Sequence, residues 1–124
     1  MRGRAAEVLL AAPGLERVMA LDLTANDLTD AAVAELVASR RVANLLSLKL
    51  GSNHALGPAS AEALAASPHL ARLVALDLVS AAPGDGGVMA LLRSPRLPRL
   101  RVLHVTRTGL AAETREALRE RFGD

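Results

Sequence analysis

The 124-residue sequence predicts an α/β solenoid of about four parallel strands, with helices packed along the other side of a shared core. Three observations predict it. First, one apolar pattern occurs four times: Val18-x-x-Leu21-x-Leu23, Leu45-x-x-Leu48-x-Leu50, Leu73-x-x-Leu76-x-Leu78 and Leu100-x-x-Leu103-x-Val105. Its second apolar positions, 21, 48, 76 and 103, lie 27, 28 and 27 residues apart. Second, each unit changes period internally, from the alternation of a half-buried strand to the spacing of an amphipathic helix. Third, the composition is built from 25 Ala and 24 Leu, with no Cys and a single aromatic, Phe122. Leu suits recurring inward slots, and Ala suits helices that must lie close together.

The elements follow in order. Residues 1–17 form a partial first unit of helix and loop, with Leu9 and Leu15 where the period predicts apolar residues and Pro13 in the loop. Ala20 to Thr24 reads as the first strand. Asn26 and Leu28 follow it, and Asp30 stands where a helix N-cap belongs. Val33, Leu36 and Val37 carry the first full helix. In the second unit an inserted residue near His54 moves Leu56, Leu64 and Leu70 one place along, and Ser67-Pro68 stops the helix. In the third, Asp85 repeats the cap position, Val88, Leu91 and Leu92 carry the helix, and Ser94-Pro95 stops it. The last helix spans about Glu113 to Phe122. Its narrow apolar line of Ala117, Leu118 and Phe122 marks it as a cap.

A strand, a helix and a second strand in succession place the strands parallel. One unit cannot bury its Leu pair alone, but stacked units can. The chain is expected to be a single domain: a partial repeat at 1–17, repeats at 18–44, 45–72 and 73–99, and a terminal repeat at 100–124. The first strand is expected to be an open edge unless the N-terminal helix covers it. Open edges pair with other chains, so homo-oligomerisation through this edge is an expectation.

Val18, Leu21, Leu23, Asn26 and Leu28 spell L-x-x-L-x-L-x-x-N-x-L most completely, and on these residues the chain resembles the leucine-rich repeat family. The period and the expected outer helices look most like its ribonuclease-inhibitor-like class. Phrases such as Ala66-Ser67-Pro68-His69-Leu70-Ala71-Arg72-Leu73 look like the Leu/Ala/Arg-rich versions found in some bacteria. The resemblance implies a short right-handed horseshoe with strands on the concave side, and an Asn ladder at the turns. Asn26 and Asn53 match that ladder. Ala81 and Thr108 stand in its third and fourth places, so the third turn, 79–87, is expected to be the least regular.

Composition excludes several functions. Without Cys there is no zinc finger or disulfide scaffold, and without aromatics there is no stacking platform for bases. The formal charge is only +2, from 15 basic and 13 acidic residues, so nucleic-acid binding is not expected. No apolar run reaches the roughly 18 residues of a membrane span. Glu7 interrupts the weakly signal-like start, and a cytoplasmic protein is expected.

The resemblance also implies that the strand residues outside the core face the concave side. Their middle row is Asp22, Lys49, Asp77 and His104, flanked by Thr24 and Thr106, with Arg107 just beyond. Parallel strands lie about 4.8 Å apart, so this row is a ladder of alternating charge. It serves either as mutual neutralisation, at about 0.2–1 kcal/mol per exposed pair, or as a polar strip for docking a protein. A second stripe, Arg72, Arg96, Arg99 and Arg101, is either a solvated rim or an anion site. Gly84–Gly87 lacks the Lys and Ser/Thr of a phosphate loop and reads as a turn. His54, His69 and His104 fall on unlike positions and are not spaced as metal ligands. No catalytic residue, metal or cofactor is expected. The reading is a non-enzymatic module that binds a protein partner on the sheet face. The alternatives are a scaffold segment or fragment of a longer repeat protein without a specific ligand and, third, an anion or nucleic-acid binder using the Arg stripe.

Overall fold

The computed structural model describes residues 5–123. The N-terminal helix α1 spans Ala5–Leu10 and is followed by a 3₁₀ turn at Leu15–Arg17. Then β1 (Ala20–Asp22), α2 (Asp30–Val37), β2 (Ser47–Lys49), α3 (Pro58–Ala66), β3 (Ala75–Leu78), α4 (Gly84–Arg93), β4 (Val102–Val105) and α5 (Ala112–Phe122) alternate. The strands form one parallel sheet in the order β1-β2-β3-β4. Helices pack neighbour to neighbour on its other side, which makes a small leucine-rich-repeat-type α/β solenoid.

The core lies between the two layers. Leu21, Leu48, Leu76 and Leu103 pair across the sheet in register. Leu48 and Leu76 are 0% and 1% exposed, and Leu45, Leu50, Leu73 and Leu78 are equally enclosed. In the first unit the equivalent Leu21 and Leu23 are only half-buried. The cause is position: α1 lies against α2, and β1 has a strand neighbour on one side only.

Ala25, Ser52 and Ser80 occupy one turn position and all are left-handed, with φ of 57°, 57° and 67°. That conformation costs a residue with a Cβ about 1–2 kcal/mol. Neighbouring repeats hold the first two: Ala25 N–H donates to the Gly51 carbonyl at 3.0 Å, and Ser52 N–H to the Val79 carbonyl at 2.8 Å. The third turn keeps the same kink although Ala81 replaces Asn. There Asp77 accepts from Val79 N–H at 2.9 Å, and the Thr106 hydroxyl accepts from Ser80 N–H at 2.9 Å. The third turn's further departure is left-handed Gly84, and the first turn has one of its own at left-handed Asp27, with φ of 55°.

The Asn ladder has one complete rung. Asn53 is fully buried. Its Oδ1 accepts from Asn26 N–H and Leu28 N–H at 2.9 and 3.0 Å, and its Nδ2 donates to the Leu23, Leu50 and Gly51 carbonyls. Asn26 is exposed, and its Nδ2 reaches only the Thr24 carbonyl within its own turn, at 3.1 Å.

The sequence predicts Asp30 and Asp85 as the caps of their own helices, and they are not. Thr29 caps α2, its hydroxyl accepting from Ala32 N–H at 3.2 Å, and Asp30 lies inside the first turn. Asp30 instead reaches one repeat forward. Its Oδ1 accepts from Gly57 N–H at 2.9 Å, Ser60 N–H at 3.2 Å and the Ser60 hydroxyl at 2.5 Å, at the start of α3. Asp85 does the same for α5, accepting from Ala111 N–H at 2.8 Å. These helix starts thus depend on a carboxylate from the preceding repeat.

The other helix ends are tied in the opposite direction. The Ser67 hydroxyl donates to the Val37 carbonyl at 2.6 Å, and the Ser94 hydroxyl donates to the Ala65 carbonyl. Arg121 reaches the Leu92 carbonyl at 2.6 Å, and Arg41 reaches the Leu10 carbonyl and the Ala12 carbonyl, the latter at 2.8 Å. Helix carbonyls with no partner in their own helix are thereby satisfied by the next repeat.

Candidate functional site

The strand register settles which side chains share the open sheet face. Ala20, Ser47, Ala75 and Val102 form one row, and Asp22, Lys49, Asp77 and His104 form the next. Thr24 and Thr106 lie just past the strand ends and are exposed, whereas Arg107 is half-buried. Asp22, Lys49 and His104 are exposed and Asp77 is half-buried.

The charge row is not a chain of ion pairs. Neither carboxylate reaches Lys49 within 4.0 Å, and the ion pair formed among the described residues joins Arg41 to Glu16 at 2.6 Å. Each Asp turns back on its own strand exit instead. Asp22 Oδ1 accepts from Thr24 N–H at 3.0 Å and from its hydroxyl at 2.5 Å. Those two bonds, with the nearby Lys49 charge, hold the Asp22 carboxyl below its ordinary value. Asp77 accepts from Val79 N–H, and its carboxylate lies over Gly51, where a Cβ would sit 3.4 and 3.6 Å from the two oxygens. Lys49 is therefore an exposed ammonium between two carboxylates already engaged elsewhere.

Around Lys49 the face has two shallow depressions. One is bounded by Ser47, Lys49, Ala75, Asp77 and His104, and the other by Ala20, Asp22, Ser47 and Lys49. Their floors are small because Ala20, Ser47 and Ala75 carry little beyond Cβ. At the far end Val79 and Val102 are exposed, 41% and 38%.

The arginines of the second stripe lie on a different edge, where the chain enters each strand. Arg72, Arg96, Arg99 and Arg101 are all exposed. Arg72 Nη1 donates to Asn44 Oδ1 at 2.8 Å, and Asn44 Nδ2 donates to the Glu16 carbonyl at 2.6 Å, so this edge has a rung of its own across three repeats. Among the described residues no group of three or more His, Asp or Glu is placed to hold a metal ion.

Sequence reasoning missed the forward reach of Asp30 and Asp85 and the part played by Arg41. A signal existed for the first. Asp30 is followed one repeat later by Ser60, and Asp85 by Thr114, whereas Pro58 is followed by Gly87. At that junction close contact replaces the hydrogen bond, since a Cβ on Gly87 would lie 2.9 Å from Ala61 Cβ. Nothing in the spacing marks Arg41.

The leucine-rich repeat family matches residues 43–65, the segment from the approach to β2 through most of α3. No curated protein matches the chain. The matched segment falls almost wholly in the second unit of the solenoid, where Asn53 makes its rung. Fold and match together describe a leucine-rich-repeat-type scaffold, consistent with a non-enzymatic protein able to engage other proteins.

Proposed function

We propose that the protein is a non-enzymatic interaction module that binds a protein partner across its concave sheet face. Asp22, Thr24, Lys49, Asp77, His104, Thr106 and Arg107 are the contact residues of this reading. One observation carries it: Lys49 stands exposed between two small-floored depressions, with no ion pair among the described residues. A partner carboxylate can pair with Lys49 while small side chains enter on either side. The cytoplasm is the compartment we propose. The ribonuclease-inhibitor-like class and the bacterial Leu/Ala/Arg-rich type belong to the same reading, supported by the 27- and 28-residue spacing and the outer helices.

One observation favours a plain scaffold as the second reading. The face carries no aromatic residue, and aromatic anchors dominate binding hot spots. The test is affinity capture from the source cell, identification of the bound protein, and titration with purified components. Lys49→Glu should weaken binding by about 1–2 kcal/mol, roughly ten-fold. Affinity unchanged by Lys49→Glu, Asp22→Lys and Asp77→Lys would remove the concave face from consideration and leave the scaffold.

A further inference from the structure

The small net charge hides a strong segregation. Four loops lead into the strands, and their single acidic residue is Glu16, which Arg41 neutralises. The last of these loops alone carries Arg96, Arg99 and Arg101, just beyond Arg93 at the end of α4, and Arg72 holds the place of Arg99 one repeat earlier. The opposite edge, where strands lead into helices, carries Asp27, Asp30, Asp85 and Glu113 against Arg107. Part of this follows from the helix macrodipole, which favours cations at C-terminal ends.

The dipole does not account for Arg96, Arg99 and Arg101. At the helix ends on this edge the Leu10, Val37, Ala65 and Leu92 carbonyls are already taken by Arg41, Ser67, Ser94 and Arg121. The three guanidiniums make no hydrogen bond or ion pair within the described residues, and they lie beyond the end of α4. Their loop is nevertheless held firmly. Leu97 and Leu100 alternate with them and are 0% and 5% exposed, and Pro95 and Pro98 fix two φ angles. A rigid base that presents three unengaged forks lowers the entropy lost on binding. Guanidinium forks match carboxylates in bidentate geometry.

We infer that the strand-leading edge formed by Arg96, Arg99 and Arg101, with Arg72 beside it, is a docking site for an acidic peptide segment rich in Asp and Glu. Nucleic acid fits less well. Phe122 is the one aromatic residue, it is half-buried, and the Arg121 guanidinium lies 5.1 Å from its ring centroid, so bases find no stacking surface. The site is separate from the sheet face and stands or falls apart from it.

The experiment is fluorescence anisotropy with a labelled Glu-rich peptide and, in parallel, a labelled single-stranded oligonucleotide of equal charge. Peptide binding should weaken steeply with added salt and fall about tenfold in the triple variant Arg96→Ala/Arg99→Ala/Arg101→Ala, three exposed charge contacts being lost. Lys49→Glu should leave it unchanged, whatever that substitution does on the sheet face. The three side chains are exposed, and an unchanged urea midpoint will confirm that the variant is folded. No peptide binding at low salt, binding indifferent to the triple variant, or tighter binding of the oligonucleotide would each overturn the inference.

Discussion

Leu48 and Leu21 occupy the same place in successive repeats and yet should respond differently to truncation. Leu48 is enclosed by its own layer and both flanking strands, with 0% exposure, whereas Leu21 is half-buried beside the open edge. Leu48→Ala should cost about 2–5 kcal/mol, because the removed atoms leave a cavity that a sheet with neighbours on both sides cannot close. Leu21→Ala should cost less than half as much, since water already reaches the site. Urea unfolding of both variants checks this, and equal losses would mean the burial gradient is not real. At this scale the sequence was very legible. A strict L-x-L spacing fixes which side chains point inward, because one residue of slip would reverse every one of them. The same alternation identified Asp22, Lys49, Asp77 and His104 as a single row. What spacing could not supply was the contact within the row: a carboxylate next to an ammonium in register may still prefer its own backbone, as Asp22 and Asp77 do.

Between elements the decisive interactions run from one repeat to the next, and Asp30 shows their pH dependence. Burial raises the pKa of its carboxyl, but the Ser60 hydroxyl and the Gly57 and Ser60 amides more than offset this, and the net shift is downward. A folded pKa below the unfolded one gives stability that is fully present above the unfolded value, about 3.9 for Asp. That stability is lost as pH falls through the folded value. Asp85 shifts the same way through Thr114 and the Ala111 amide. The protein should therefore lose stability below about pH 4. Asp30→Asn, which cannot charge, should be less stable at neutral pH by about 0.5–2 kcal/mol, the usual worth of a cap, and should show a smaller acid-dependent loss. Urea midpoints from pH 3 to 7 for both proteins test the sign, and parallel curves would separate Asp30 from the acid response. Sequence reasoning placed these carboxylates at helix starts but on the wrong helix. The preference of Asp for a first turn is local, whereas the choice between a helix's own amides and its neighbour's depends on how closely the repeats stack.

Across the whole molecule the repeats form a one-dimensional array, so stability should vary along it. β2 and β3 have strands on both sides and enclosed Leu rows, and Asn53 ties the second turn to the first. β1 has a single partner, half-buried Leu21 and Leu23 beneath it, and exposed Met19 just before it, at 57%. Its exit is partly closed by its own residues, since Asp22 takes the Thr24 amide and Asn26 takes the Thr24 carbonyl. The amides of Ala20 and Asp22 have no such cover. Parallel pairing directs alternate residues of an edge strand away from the sheet, and Leu23 and Ala25 already bond toward β2. Hydrogen exchange should therefore be fastest at Ala20 and Asp22 among the strand amides and slowest in β2 and β3, because local opening follows the fewest buried contacts. Repeating the measurement over a range of protein concentrations tests the edge pairing that the sequence suggests. Protection of Ala20 and Asp22 that rises with concentration would report strands joined between chains. Protection that stays low at every concentration would leave the edge unpaired and confine the molecule's partners to its sheet face and its basic rim.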